Sequence, residues 1–319
     1  MSNAIEKLLH SIPPASGAVV MGTGIVSIDL STDGRETLSR ILLVIAAAIW
    51  VGLGLLLAAR LGSDREQLVA ESALPAALTG VAGTEVLGTR VALLGWNGIA
   101  IALLAIGFCI WLVLVPHVLR HWKTPTIGAS FVLVVSTESL AVLGAVLSLH
   151  ERAEWLAVAA LVALVLGLAA YVFVLARFDL DQLRVGHGDH WVSGGALAIA
   201  ALACGKVGEA ADGFSSLHGL GSTISVAALA IWVAAIVWLP VLVAAEVIAP
   251  RLAYDIRRWS TVFPVGMYAA CSFEVGDLRS IDALVDFARI WIWVALALWV
   301  VIFGAMVRRG FALRETANA

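Results

Sequence analysis

Acidic side chains recur in five long apolar segments of this sequence, each in the later part of its segment. Most charges near the end of a hydrophobic helix reach water, so several of these acids are expected at a membrane surface. Glu138 differs because it lies near the middle of segment 125–149, where an ionised group costs about 3 kcal/mol. A carboxyl there suits proton transfer or a hydrogen bond between helices. The five acids are Asp29, Glu85, Glu138, Glu209 and Glu274.

Two of these acids share their sequence surroundings. The stretches GTEVLG (83–88) and STESLAVLG (136–144) both place Thr-Glu before Leu and Gly. This similarity predicts a weak internal repeat, in which Glu85, Thr137 and Glu138 face a common pathway for solute or protons. A structural hydrogen bond between helices is the alternative role for Glu138.

Lys206 is the matching cation within an apolar segment, and Glu209 follows it by three residues. Residues at this spacing lie on one helix face, so the simplest role is a structural ion pair. The alternative is that Lys206 supplies positive potential to a passing anion.

The other reactive residues do not assemble a recognisable catalytic or metal site. His187, Asp189 and His190 lie together, but no second cluster completes a zinc site. The Gly22-Thr23-Gly24 stretch lacks the lysine of a phosphate-binding loop. The net charge of −3 gives no basic field for nucleic acid. We therefore expect no enzyme activity, cofactor or bound metal.

The composition is that of an integral membrane protein. Apolar residues make up 61% of the 319 residues and charged residues only 13%, where a soluble domain has about 25% charged residues. A membrane-spanning helix needs about 20 apolar residues. The predicted spans are 13–30, 38–59, 72–91, 97–117, 125–149, 154–176, 190–210, 222–247, 259–273 and 284–307.

Odd and even segments differ in kind, which predicts an all-α fold of ten transmembrane helices arranged as five hairpins. Even segments are almost continuously apolar and suit lipid contact, whereas odd segments carry Gly, Ser, Thr and charged residues and suit the interior. Most Lys and Arg residues lie in the tails and in the loops after even segments, which places both termini in the cytoplasm. The expected organisation is a cytoplasmic segment 1–12, a transmembrane domain 13–307 and a cytoplasmic tail 308–319.

The stretch 258–277, RWSTVFPVGMYAACSFEVGD, contains a Phe-Pro-X-Gly step. Pro264 removes a backbone donor and Gly266 removes a side chain, so we expect a broken helix whose open face borders a pathway. Phe263 beside that gap is the candidate obstruction, because apolar constrictions can close pores.

Three stretches resemble the tellurite-resistance/dicarboxylate transporter family, which includes bacterial tellurite-resistance proteins, malate transporters and plant slow anion channels. They are PPASGAVVMGTGIVSIDL (13–30), GDHWVSGGALAI (188–199) and RWSTVFPVGMYAACSF (258–273). The resemblance implies five hairpins in pseudo-fivefold array, with odd helices lining a central pore in each protomer of a homotrimer. It also implies that a Phe on the ninth helix, here Phe263, occludes that pore.

The expected function is transport of small anions across the cell membrane, with C4-dicarboxylates or related oxyanions as substrates and possible coupling to protons. The predicted pathway residues, besides Phe263, are Gly22, Thr23, Gly24, Glu85, Thr137, Glu138, Lys206 and Gly266. A cation or proton pathway is the main alternative, because the acids alone would favour cations. A membrane enzyme or a non-transporting sensor fits the sequence less well.

Overall fold

The structure, a computed structural model, describes residues 13–185, 188–251 and 253–318 of the chain. Ten helices of at least 14 residues account for most of these residues. Short helices Arg65–Ser72 and Gln182–Val185 lie in connections. The ten helices are α1 (Gly17–Thr32), α2 (Glu36–Ser63), α3 (Thr79–Ala92), α4 (Asn97–Arg120), α5 (Val132–His150), α6 (Glu154–Leu175), α7 (Trp191–Asp212), α8 (Leu220–Ile248), α9 (Trp259–Arg279) and α10 (Asp282–Asn318).

Eight helical stretches in the described part of the chain are long and apolar enough to cross a membrane. The other two of the ten helices are α3 and α9. Helix α3 has only 14 residues, or about 21 Å at 1.5 Å per residue, which is shorter than a bilayer core of about 30 Å. Helix α9 has 21 residues but carries Glu274, Asp277 and Arg279 toward its end. The described part of the chain is therefore almost entirely helical, and eight of its helical stretches are candidate membrane spans by length and composition.

The predicted division between inner and outer helices matches the burial of the helices. In the span Gly128–His150, which contains α5, 94% of the most apolar window is buried, against 17% in α4. Side chains of α3 and α9 are buried along almost their whole length. Even helices instead expose Val, Leu and Ile side chains, as lipid-facing helices do.

The odd helices contact one another in a closed ring. Helix α1 packs against α3, α3 against α5, α5 against α7 and α7 against α9, and α9 returns to α1. Each odd helix also packs against the even helix that follows it in the chain. These contacts place the polar odd segments at the centre of the molecule.

Small residues permit the close approach of the inner helices. A Cβ at Gly17 would lie 2.5 Å from the Thr79 backbone of α3, so only glycine fits this crossing. Gly195 of α7 makes room in the same way for the ring of Pro264 on α9, where a Cβ would lie 2.8 Å from Cγ. Van der Waals packing of this kind replaces the hydrophobic effect inside a bilayer.

The expected break at Pro264 is wrong, because α9 is one continuous helix from Trp259 to Arg279. Pro264 is the sixth residue of α9. The backbone hydrogen bond that it cannot donate therefore lies near the N-terminus of the helix. Gly195 of α7 leaves space for its ring. A proline here shapes the contact between α7 and α9 rather than opening the helix.

The expected divisions at the two ends of the chain stay predictions. Helix α10 continues past residue 307 to Asn318, so most of the expected tail 308–319 is helical. The expected cytoplasmic segment 1–12 lies outside the described residues.

Candidate functional site

A cavity of about 160 Å³ lies toward the C-terminal ends of the odd helices, and all five of these helices contribute to its wall. On each helix the lining residues include a triplet with the spacing i, i+3, i+7, which keeps them on one helix face. The triplets are Ile25/Ile28/Thr32, Val86/Thr89/Leu93, Ser139/Val142/Val146, Ile199/Leu202/Lys206 and Ala270/Phe273/Asp277. The cavity therefore lies on the common axis of the ring.

Phe263 lies on the axis-facing side of α9, below this cavity. Met267, Ala270 and Glu274 line the cavity, and Phe263 precedes them by four, seven and eleven residues, which are helical repeats of one face. The Phe263 side chain is only 1% exposed. Since Met267 is one helical turn away, Phe263 lies about 6 Å from Met267 along α9, toward the N-terminus of that helix. The role of Phe263 as an obstruction stays a prediction.

Lys206 is the cation in the cavity wall, and it binds two carboxylates. Its Nζ lies 2.6 Å from Glu274 Oε2 on α9 and 2.9 Å from Glu209 Oε2 on α7. The expected pair with Glu209 is present, but the shorter contact joins two inner helices. Asp277 also lines the cavity. The positive charge of Lys206 is thus balanced by its neighbours before any solute arrives.

Glu85 and Glu138 are buried, but neither lines the cavity, which corrects the expectation that they face a common axis. Each carboxyl lies against a glycine of the outer helix in its own hairpin, Glu85 against Gly107 of α4 and Glu138 against Gly167 of α6. The oxygens of both make no hydrogen bond within the described residues. An unpaired carboxylate is costly in such surroundings, so both sites favour the protonated acid.

Thr23 and Thr137 face tryptophans of neighbouring outer helices rather than the cavity. Trp299 Nε1 donates to Thr23 Oγ1 and Trp111 Nε1 donates to Thr137 Oγ1, each at 3.0 Å. Thr84 accepts in the same way from Trp50 at 2.9 Å. These bonds join an outer helix to the inner helix of the next hairpin.

Gly22, Gly24 and Gly266 are packing residues in the structure. A Cβ at Gly22 would lie 3.0 Å from the Trp259 ring, and one at Gly24 would lie 2.8 Å from Val86. A Cβ at Gly266 would lie 2.7 Å from Ile25. The GTG stretch therefore sets the distances of α1 from α9 and α3. Of the predicted pathway residues, the structure places Lys206 in the cavity wall and Phe263 just below.

Comparison with known proteins decides the family. A model of the voltage-dependent anion channel (SLAC1) family matches residues 11–307. The chain belongs to this family. Similar proteins include the uncharacterized membrane proteins MT1776 and Rv1735c from two Mycobacterium tuberculosis strains, CDC 1551 / Oshkosh and ATCC 25618 / H37Rv. Each is 33% identical over 141 residues, which cover 42% of this chain and 71% of the relative.

Membership of the voltage-dependent anion channel family agrees with the predicted resemblance and with a role in moving small anions. The protein is a membrane anion channel or transporter and not an enzyme. The described residues hold no group of three or more His, Cys, Asp and Glu side chains placed to bind a metal ion. His187 lies outside the described residues.

Asp277 lines the cavity although it was not among the predicted pathway residues, and it lies beyond the predicted span 259–273. The anion channel sequence does carry one periodic signal, a small residue four positions before an aromatic residue on each outer helix. These pairs are Ala46/Trp50, Gly107/Trp111, Gly167/Tyr171, Ala228/Trp232 and Ala295/Trp299.

The contact between Gly167 and Glu138 gives a stability prediction. A Cβ at position 167 would lie 2.5 Å from Glu138 Cδ, so Gly167→Ala should destabilise the protein by about 1–3 kcal/mol, as overpacking does. The measurement is thermal unfolding in detergent. Gly167→Ala combined with Glu138→Ala should recover most of the loss, and equal melting temperatures for the parent and Gly167→Ala would contradict the contact.

Proposed function

We propose that the protein moves small anions along the axis of the five odd helices. The observation that carries the proposal is the cavity to which all five helices contribute the same triplet spacing, with Lys206 in its wall. In this proposal all ten helices cross the bilayer as five hairpins in pseudo-fivefold arrangement. Helix α3 is short and helix α9 carries charged residues near its end. Both can still cross the bilayer, because the other helices shield them from lipid.

The proposed substrates are C4-dicarboxylates or related oxyanions. A cavity of about 160 Å³ suits a small solute. The ammonium of Lys206 lies in its wall and could bind an oxyanion as a point charge if the solute displaces one of its carboxylate partners. The test is a flux assay in proteoliposomes with malate, succinate, sulfite, nitrate and chloride, with and without a pH gradient. Saturable uptake of malate or succinate above that of chloride supports the proposal, whereas equal permeation of all five anions would favour an unselective channel.

Phe263 is proposed to occlude this pathway. Its support is the shared helix face with Met267, Ala270 and Glu274 and its nearly complete burial. An aromatic ring across a narrow apolar passage excludes both water and ions.

Proton coupling is proposed to act through Glu138. Because its carboxyl lies between α5 and α6, loss of its proton would disturb the contact of an inner helix with its outer partner. The neutral acid is compatible with this packing and the carboxylate is not. Protonation would therefore act on helix packing rather than on a solute in the cavity.

Replacing Glu138 with Gln tests the coupling. Gln keeps the size of the neutral acid but cannot titrate, so uptake of labelled succinate should lose its dependence on external pH while remaining measurable. Glu85→Gln, at the equivalent place against Gly107, is the matched comparison. A pH profile of Glu138→Gln that follows the parent would remove Glu138 from the coupling.

A cation pathway is the second candidate, and the acids of the cavity favour it. Glu274 and Asp277 line the cavity with a single lysine, and Glu209 also binds that lysine. If these acids are all ionised, the wall carries net negative charge and attracts cations. The sign of the reversal potential separates this candidate from the proposed anion pathway.

The proposed placement has both termini in the cytoplasm of a cell-membrane protein that assembles as a homotrimer. Basic residues in the connections after even helices support this orientation. In that orientation the cavity faces outward and Phe263 lies closer to the cytoplasm.

A further inference from the structure

An apolar groove of about 600 Å³ follows the last turns of α8 on the outer surface. Trp291 of α10 closes its other side, and the indole N–H is already donated to the Val265 carbonyl at 3.0 Å. The groove thus offers hydrocarbon surface to its occupant. The residues from α8 are Leu239, Pro240, Val243, Ala244, Val247 and Ile248.

The groove arises from the way α8 and α10 flank α9. Both outer helices pack against α9, and Pro240 interrupts the hydrogen bonding of α8 at the start of the groove. From Leu239 to Ile248 the groove extends about 14 Å along the helix. Val247 and Ile248 are 73% and 76% exposed at its end. An open apolar groove of this length suits an extended alkyl chain.

The open end of the groove is rich in arginine. Helix α8 ends at Ile248, and the connection to α9 contains Arg251, Arg257 and Arg258. Arg309 of α10 donates to the Tyr254 carbonyl at 2.7 Å, which brings the end of α10 to the same connection. Arg308 adjoins it, so five arginines lie at one end of an apolar groove.

Three acids partly balance these arginines. Glu246 accepts bonds from Arg251 and Arg258, each at 3.3 Å. Burial would raise the pKa of Asp255, but hydrogen bonds from Arg257 hold that pKa below its usual value, so Asp255 is ionised at neutral pH. The pKa of Arg257 is raised by its hydrogen bond to Asp255 and also by the charge of Asp189. Five arginines against three acids leave two excess positive charges. The surroundings therefore attract an anion at the level where the groove opens.

We propose that this groove binds one acyl chain of an anionic phospholipid, whose phosphate contacts the arginines at the open end. Arginine forms paired hydrogen bonds to phosphate, and basic pockets between membrane helices recognise anionic headgroups. Arg257, which is 45% exposed, and Arg309 are the reachable members, whereas Arg251 and Arg258 are largely buried with Glu246. The site is separate from the axial pathway, so the lipid-binding proposal does not depend on the transport proposal.

The test compares phosphatidylglycerol with phosphatidylcholine added to delipidated protein, with thermal unfolding and native mass spectrometry as readouts. We expect phosphatidylglycerol to raise the melting temperature more and to remain bound as a single copy. Ala244→Trp, which fills the groove, and the double variant Arg257→Gln/Arg309→Gln should each remove this difference. Val237→Trp is the control, because Val237 is 70% exposed on α8 but lies outside the groove.

Equal effects of the two lipids on the parent would overturn the proposal. The proposal would also be overturned if Ala244→Trp kept the larger effect of phosphatidylglycerol. If Ala244→Trp does not fold, the same result in the double arginine variant would overturn it. A change in oligomeric mass in Ala244→Trp, but not in Val237→Trp, would show instead that a second copy of the chain covers this face.

Discussion

Phe263→Ala should raise anion flux through the protein by about tenfold or more. The ring lies on the axial face of α9, one turn from the cavity floor at Met267, and is 1% exposed. Removing it opens the apolar passage to water, and each 1.4 kcal/mol removed from a barrier is about a factor of ten in rate. The measurement is single-channel or macroscopic current in planar bilayers, with the parent recorded under the same gradient.

Phe131→Ala is the matched control for this variant. Phe131 is fully buried, but its ring packs 5.3 Å from Tyr171 of α6, away from the axis. Both variants lose a buried aromatic ring and should lose stability by roughly 3–5 kcal/mol. Only Phe263→Ala should gain current. If both variants conduct as the parent does, or both gain equally, the ring is not the obstruction.

Lys206→Met should reduce anion flux by about tenfold or more, the second large effect. The change leaves Glu274 and Asp277 in the cavity wall and Glu209 beside it without their cation. An anion entering the cavity then meets one more uncompensated negative charge than in the parent, and one charge at 4 Å costs about 4 kcal/mol at an effective dielectric constant of 20. The measurement is initial uptake of labelled succinate into proteoliposomes at matched protein density.

Glu274→Gln separates an electrostatic role from a structural one. It breaks the same 2.6 Å contact with Lys206 but removes a negative charge. If the cluster sets the potential seen by the anion, Glu274→Gln should maintain or raise flux, and combining it with Lys206→Met should restore part of the loss. Similar losses in both single variants would show that the ion pair only holds α7 to α9.

The sequence was sufficient for the class of fold and for the division between inner and outer helices. That division depends on burial, and the composition of each segment indicates its burial. Odd segments contain glycine and charged residues, whereas even segments are continuously apolar. Boundaries were less accurate in the short and polar helices. Helix α3 begins only at Thr79, after the 3₁₀ turn Pro75–Leu78. Its start could not be read from the sequence, because the hydropathy of a polar, buried segment does not change sharply where the helix begins.

The directions of individual side chains could not be predicted in the same way. Glu138 looked like a residue of the pathway because its depth was evident, but depth alone does not decide which side of a helix it faces. The deciding feature is Gly167, on a different helix, whose missing side chain makes room for the carboxyl. Likewise, the effect of Pro264 depended on Gly195, a contact between helices distant in sequence.

Lys206 shows what spacing can establish. Its pairing with Glu209 follows from a separation of three residues on one helix, and the structure contains that pair. The shorter bond to Glu274 crosses from α7 to α9, and it depends on the ring of inner helices, which no local pattern specifies.

The most direct test of an anion pathway closed by Phe263 is the reversal potential of Phe263→Ala in a planar bilayer under a gradient of potassium malate. We expect the current to reverse close to the equilibrium potential of the malate anion, at a conductance well above that of the parent. Reversal close to the potassium equilibrium potential would contradict the account and assign the cavity acids, rather than Lys206, as the determinants of selectivity.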